Sequence, residues 1–89
     1  MNNEILPNPT VVAQWTEAGA ILMDVATGDC FELNTLGADV WRHIAQCESV
    51  EKIVSTLATS TGEPPSRIDG DVRSLIATLQ KHGLVKLSK

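Results

Sequence analysis

The chain has 89 residues, 43% hydrophobic and 20% charged, enough for one small core but not for a core plus an enclosed catalytic cavity of ordinary size. Its formal net charge of -4 argues against a generic attraction to phosphates, and no apolar run approaches the roughly 18 residues that a membrane span requires. Neither nucleic acid nor membrane is therefore expected as a partner.

Residues 1–9 read as a flexible lead-in, and the domain proper is expected over residues 10–89. The lead-in has neither a basic start nor an apolar run ending in a small-residue cleavage site, so a secretory signal is not expected and a cytoplasmic location is. Thr10 to Thr16 predicts a first strand with Val11, Ala13 and Trp15 on one face. Glu17-Ala18-Gly19 then turns the chain into a second strand, Ala20 to Val25, where Ile21, Met23 and Val25 alternate with Leu22 and Asp24. After a Thr27-Gly28 turn, Phe31 and Leu33 alternate with Cys30, Glu32 and Asn34, the period of two that half-buried strands require. The result is a three-stranded antiparallel meander.

Asn34 offers a side-chain oxygen to the orphan N–H groups of a helix over about Thr35 to Cys47, in which Leu36, Val40, Trp41 and Ile44 recur at helical spacing. Strand and helix are joined almost without a loop. Ser49 is the expected cap of a second helix whose apolar face is Val50, Ile53, Val54 and Leu57, fading near Thr59 to Gly62. Glu63-Pro64-Pro65 breaks the chain, and either Ser66 caps the third helix or Pro65 occupies its first turn. In that helix Ile68, Val72, Leu75, Ile76 and Leu79 fall at i, i+4, i+7, i+8 and i+11, and Lys81, His82 and Gly83 form a cationic last turn and a stop. Gly70 inside it implies close packing or an early fray. Leu84, Val85 and Leu87 either add a short terminal strand or lie against the core. The fold class is α+β, winged-helix-like, a three-stranded antiparallel sheet followed by three helices.

Such a sheet has two edges, and if the strand from Asp29 to Leu33 is one of them it leaves unpaired N–H and C=O groups open to another chain. Across its whole length from Ala18 to Leu87 this pattern resembles the PqqD family, the peptide-recognition elements used in making ribosomally synthesised, post-translationally modified peptides. The resemblance rests on Ile21-Leu22-Met23-Asp24, Thr27-Gly28, Phe31, Leu33-Asn34, Gly37 and Trp41. It continues in Ser49-Val50-Glu51-Lys52-Ile53-Val54 and in Leu79-Gln80-Lys81-His82-Gly83-Leu84. Asp24 to Gly28 and Gly37 to Trp41 are most similar to the stand-alone elements of lasso-peptide clusters, with the protein of pyrroloquinoline quinone synthesis as the alternative.

The resemblance implies an accessory protein that binds the leader segment of a precursor peptide and hands it to a leader peptidase or other modifying enzyme. It implies no catalysis and no cofactor. Physically, an extended peptide on an edge strand gains main-chain hydrogen bonds from any sequence and selectivity from a neighbouring groove. The expected peptide-binding residues are Asp29, Cys30, Phe31, Glu32 and Leu33 on the strand, with Val72, Leu75, Ile76 and Leu79 on the third helix supplying apolar surface.

Competing readings are weaker. His43 and Cys47 share a helix face at metal-ligand spacing, but two ligands do not make a site, and the plain reading is a surface His and a small buried thiol. Neither cysteine belongs to a disulfide framework. Asp39 and His43 have no fitting nucleophile for a hydrolytic triad. A winged-helix DNA reader would use the third helix, where Arg67, Arg73 and Lys81 against Asp69 and Asp71 leave a balance of only +1. A last alternative is a plain oligomerisation module that pairs through the same Asp29 to Leu33 edge.

Overall fold

Period-two alternation in the first half of the chain and 3.6-residue spacing in the second produce a sheet backed by helices. The computed structural model describes residues 4–88. Its elements in order are β1 (Glu4–Pro7), β2 (Val11–Thr16), β3 (Gly19–Asp24), β4 (Cys30–Leu33), α1 (Thr35–Ala45), α2 (Val50–Thr61), α3 (Pro65–Lys81) and β5 (Val85–Ser88). The three-stranded sheet has the order β2-β3-β4, antiparallel throughout, and β1 pairs antiparallel with β5 in a second, two-stranded sheet.

That second sheet corrects the expectation of a loose lead-in at residues 4–7. Ile5 is fully buried and aligned with Leu87, so the start of the domain is clamped by its end. Asn8 completes the clamp: its backbone N–H donates to the Leu84 carbonyl and its side-chain Nδ2 to the Gly83 carbonyl, while its Oδ1 accepts from Thr10 N–H. No local pattern in a four-residue strand announces such long-range pairing.

The helix ends follow ordinary capping chemistry. Asn34 Oδ1 accepts from Gly37 N–H at 2.8 Å, and Ser49 Oγ from Lys52 N–H at 3.2 Å. α2 stops at Gly62 in the left-handed region. Pro65, not Ser66, opens α3, at a position where the missing N–H has no partner to lose. α1 ends at Ala45, two residues short of Cys47, whose positive φ of 60° breaks the helical path. Gly70 neither frays α3 nor packs tightly, since a β-carbon there would meet nothing within 4 Å.

The core is the layer between the β2-β3-β4 sheet and the helices. Leu22 and Leu33 meet Val40, Trp41 and Ile44 of α1, and Ile53 and Leu57 of α2 close the side toward Ile68 and Val72 of α3. On β3 the buried face is Ala20, Leu22 and Asp24, while Met23 (42% exposed) and Val25 (61%) face outward. The more apolar parity of that strand is thus the outer one. Asp24 is tolerated inside because one oxygen of its carboxylate, Oδ1, accepts two hydrogen bonds, from Thr10 Oγ1 at 2.7 Å and from Ala26 N–H at 3.0 Å. Its carbonyl also accepts from Thr27 and Gly28, so one residue fixes the turn that launches β4. No helix among the described residues is long and apolar enough to cross a membrane.

Candidate functional site

β4 is an edge strand, and its register determines which main-chain groups stay open. Asp24 N–H donates to the Asp29 carbonyl, so Asp24 and Asp29 form a hydrogen-bonded pair. Pairs alternate along an antiparallel ladder, so Met23–Cys30 is non-bonded, Leu22–Phe31 bonded, Ile21–Glu32 non-bonded and Ala20–Leu33 bonded. Cys30 and Glu32 therefore turn their N–H and C=O groups to the free edge. Phe31 and Leu33 spend theirs on β3 and send their side chains inward.

Beside this edge runs a groove walled by α3. At one end the Phe31 ring lies against His82, centroids 4.7 Å apart and tilted by 47°. At the other an open cleft of about 350 Å³ is lined by Asn34, Leu36, Gly37, Asp71, Ser74 and Leu75 among others. The positions Asp71, Leu75, Thr78 and His82 follow one another at i, i+4, i+7 and i+11, a stripe beside the core stripe of the same helix. Among the residues expected from sequence, Asp29, Cys30, Phe31, Glu32 and Leu33 do line up along the edge, and Phe31 and Leu75 keep apolar surface at the groove.

Val72, Ile76 and Leu79 do not line it. They are 0%, 6% and 2% exposed, closed into the core by the opposing helices and sheet, and serve as the floor on which Leu75 is mounted. Leu36, Asp71, Ser74 and His82 were missed. The second helical stripe of α3 was the available signal for two of them, Asp71 and His82.

The junction that carries β4 into α1 is tight. Gly19 has φ of 146°, and a β-carbon there would lie 1.9 Å from the Leu33 carbonyl oxygen. Gly37 is nearly as confined, its hypothetical β-carbon 3.2 Å from Leu33 Cβ and 3.3 Å from Asn34 Oδ1. Removing side chains at two points lets the end of β4 sit close to both β3 and α1, which leaves the outer side of the strand bare.

The other constellations do not assemble. Cys30 and Cys47 are both exposed, which corrects the expectation of a small buried thiol, and His43 is half-buried with its Nδ1 2.9 Å from Glu48 Oε1 rather than on the surface. Among the described residues no group of three or more His, Cys, Asp or Glu is placed to hold a metal. On α3, Arg73 pairs with Asp69 at 2.9 Å and Arg67 with Glu63 at 3.6 Å, so its guanidinium groups are engaged by carboxylates.

Two solved structures share this fold over almost the full length of both chains. One, TbiB1 in complex with the TbiA(beta) leader peptide, is 20% identical with a TM-score of 0.85, covering 91% of this chain and 94% of the other. The second, lasso peptide synthetase B1 complexed with the leader peptide, is 18% identical with a TM-score of 0.82, covering 92% and 96%. Among curated proteins none matches the sequence. The family model for coenzyme PQQ synthesis protein D (PqqD) matches residues 19–85, a span that takes in the open edge, the groove and the core beneath them, and the chain belongs to the PqqD family.

Proposed function

We propose that this protein binds the leader segment of a ribosomally made precursor peptide as an additional antiparallel strand on β4 and delivers it to a separate processing enzyme, the leader peptidase of a lasso-peptide pathway. The observation that carries this reading is the bare β4 edge lying beside a groove with apolar anchors. Cys30 and Glu32 together offer about four main-chain hydrogen bonds, each contributing about 0.5–1.5 kcal/mol net. Ordering an extended peptide consumes much of that gain, so affinity in the micromolar range, near -8 kcal/mol, requires apolar side chains in the groove. Leader residues opposite Phe31 and Leu33 point toward α3, and those opposite Cys30 and Glu32 point to solvent. The leader is accordingly recognised by apolar residues spaced two apart.

The two solved structures described above are complexes with leader peptides, which supports the reading. The family description favours one alternative, a role in the quinone-cofactor pathway, in which the same β4 edge would take a different peptide. In either pathway the protein contributes binding and no chemistry of its own. The test is an amide-resolved NMR titration of the protein with synthetic candidate leader peptides carrying apolar residues spaced two apart. Shifts are expected at Cys30 to Leu33, Leu75 and His82. Shifts centred on β2 with none on β4 would overturn the assignment of the edge.

A further inference from the structure

The sheet has a second edge, β2, and it lacks the devices that usually keep edges apart. Its six residues, Val11–Thr16, contain no charge and no Pro, and they pair with β3 in unbroken register without a bulge. β1, by contrast, ends in Pro7, β5 carries Lys86, and β4 is only four residues long and carries Glu32. Val25 N–H donates to the Thr10 carbonyl, which makes Thr10–Val25 a bonded pair and, by alternation, turns Val11, Ala13 and Trp15 toward the free edge. Val11 N–H is already used by the Asn8 carbonyl, but its C=O and both groups of Ala13 and Trp15 remain directed outward.

We infer that β2 pairs antiparallel with β2 of a second copy about a twofold axis at Ala13, making a continuous six-stranded sheet. The strand is self-complementary in that register. Thr10-Val11-Val12-Ala13-Gln14-Trp15-Thr16 reads Thr, apolar, x, Ala, x, apolar, Thr from either end. Ala13 faces Ala13 and Val11 faces Trp15, all outward-bonding positions, so about four main-chain hydrogen bonds form, and only the Trp15 carbonyls, opposite the occupied Val11 N–H groups, are left to solvent. Two small Ala side chains meet at the axis, and each Trp15, 46% exposed with Arg42 4.8 Å from its ring centroid, covers a partner Val11.

Charge favours a like partner here more than elsewhere on the surface. The chain carries -4, which opposes self-association in general, yet this register sets no carboxylate against another: Glu17 falls opposite Pro9. The pairing is isologous and closes on itself, so it stops at two copies and leaves both β4 edges free at the far ends of the sheet.

The test is sedimentation equilibrium of the full chain together with Ala13→Asp, Ala13→Lys, an equimolar mixture of the two, Trp15→Ala and Cys30→Pro. The wild type should approach twice its 9.6 kDa mass. Ala13→Asp and Ala13→Lys alone should be monomeric, because each sets like charges across the axis, and their mixture should recover the dimer. Trp15→Ala, at an exposed position, should weaken association about tenfold, the loss of one apolar cross-strand contact from each side. Cys30→Pro should dimerise as the wild type does. A wild type that stays monomeric up to millimolar concentration, or a dimer abolished by Cys30→Pro and not by the Ala13 variants, would overturn the inference.

Discussion

The α-carbon of Gly19 lies against the carbonyl of Leu33 so closely that a β-carbon would sit 1.9 Å from the Leu33 oxygen. This approach holds the end of β4 in place. Gly19→Ala should therefore cost about 3 kcal/mol or more, through the clash and through its φ of 146°, a region that residues with a β-carbon rarely adopt. Thermal unfolding should show a melting temperature lower by at least about 12 °C. Gly70→Ala is the matched control: the site is exposed, helical and open, and the change should stabilise by about 0.5–1 kcal/mol. Equal losses in the two variants would show that the Gly19 contact is not what restrains the junction.

Proline along β4 should separate folding from binding by parity. At Cys30 or Glu32 it removes an N–H that faces the free edge, so the far-UV circular dichroism should be kept while leader affinity falls at least about tenfold. At Phe31 it removes a donor to Leu22 and should destabilise the sheet itself. Isothermal titration calorimetry beside thermal melts reads both effects. The opposite pattern, with binding lost only at Phe31, would mean that the ladder alternates the other way.

The groove and its floor should also come apart. Leu75→Asp places a charge at a half-buried groove position and should weaken the leader at least about tenfold with a small change in stability. Val72→Ala or Ile76→Ala, in the core, should cost about 1–4 kcal/mol by denaturant unfolding while leaving the affinity of the folded protein within about threefold. If Ile76→Ala instead removed binding at full stability, the floor of the groove would be part of the contact.

Duplex DNA should bind weakly and without sequence preference, because the chain is acidic and Arg67 and Arg73 of α3 are already paired with Glu63 and Asp69. Fluorescence anisotropy at physiological salt checks this. A salt-dependent submicromolar complex with one particular duplex would favour a DNA reader.

In a reconstituted reaction the protein alone should turn over no precursor, and with the partner enzyme it should lower the apparent KM for the intact precursor. Tethering the leader raises the effective concentration of the segment to be processed, so a leaderless precursor should gain nothing. Equal stimulation of both substrates would place the effect on the enzyme instead.

Sequence alone determined the meander, the Asn34 and Ser49 caps, all three helices and the family resemblance, because alternation, capping and helical spacing are local properties that a short window contains. The Asp29 to Leu33 strand was legible for the same reason, and its place at the edge, conditional in the sequence, follows from the strand order β2-β3-β4. Tertiary structure decided what local pattern leaves degenerate. Which parity of β3 is buried depended on Asp24 finding Thr10 and Ala26, and which apolar residues of α3 are core depended on the elements packed over Val72, Ile76 and Leu79 while Leu75 stayed at the groove. The pairing of β1 with β5, nearly the full chain apart, and the contact of Phe31 with His82 exist only once the helices have brought those segments together. Burial and long-range pairing are properties of two surfaces meeting, and a single strand or helix carries only one of them.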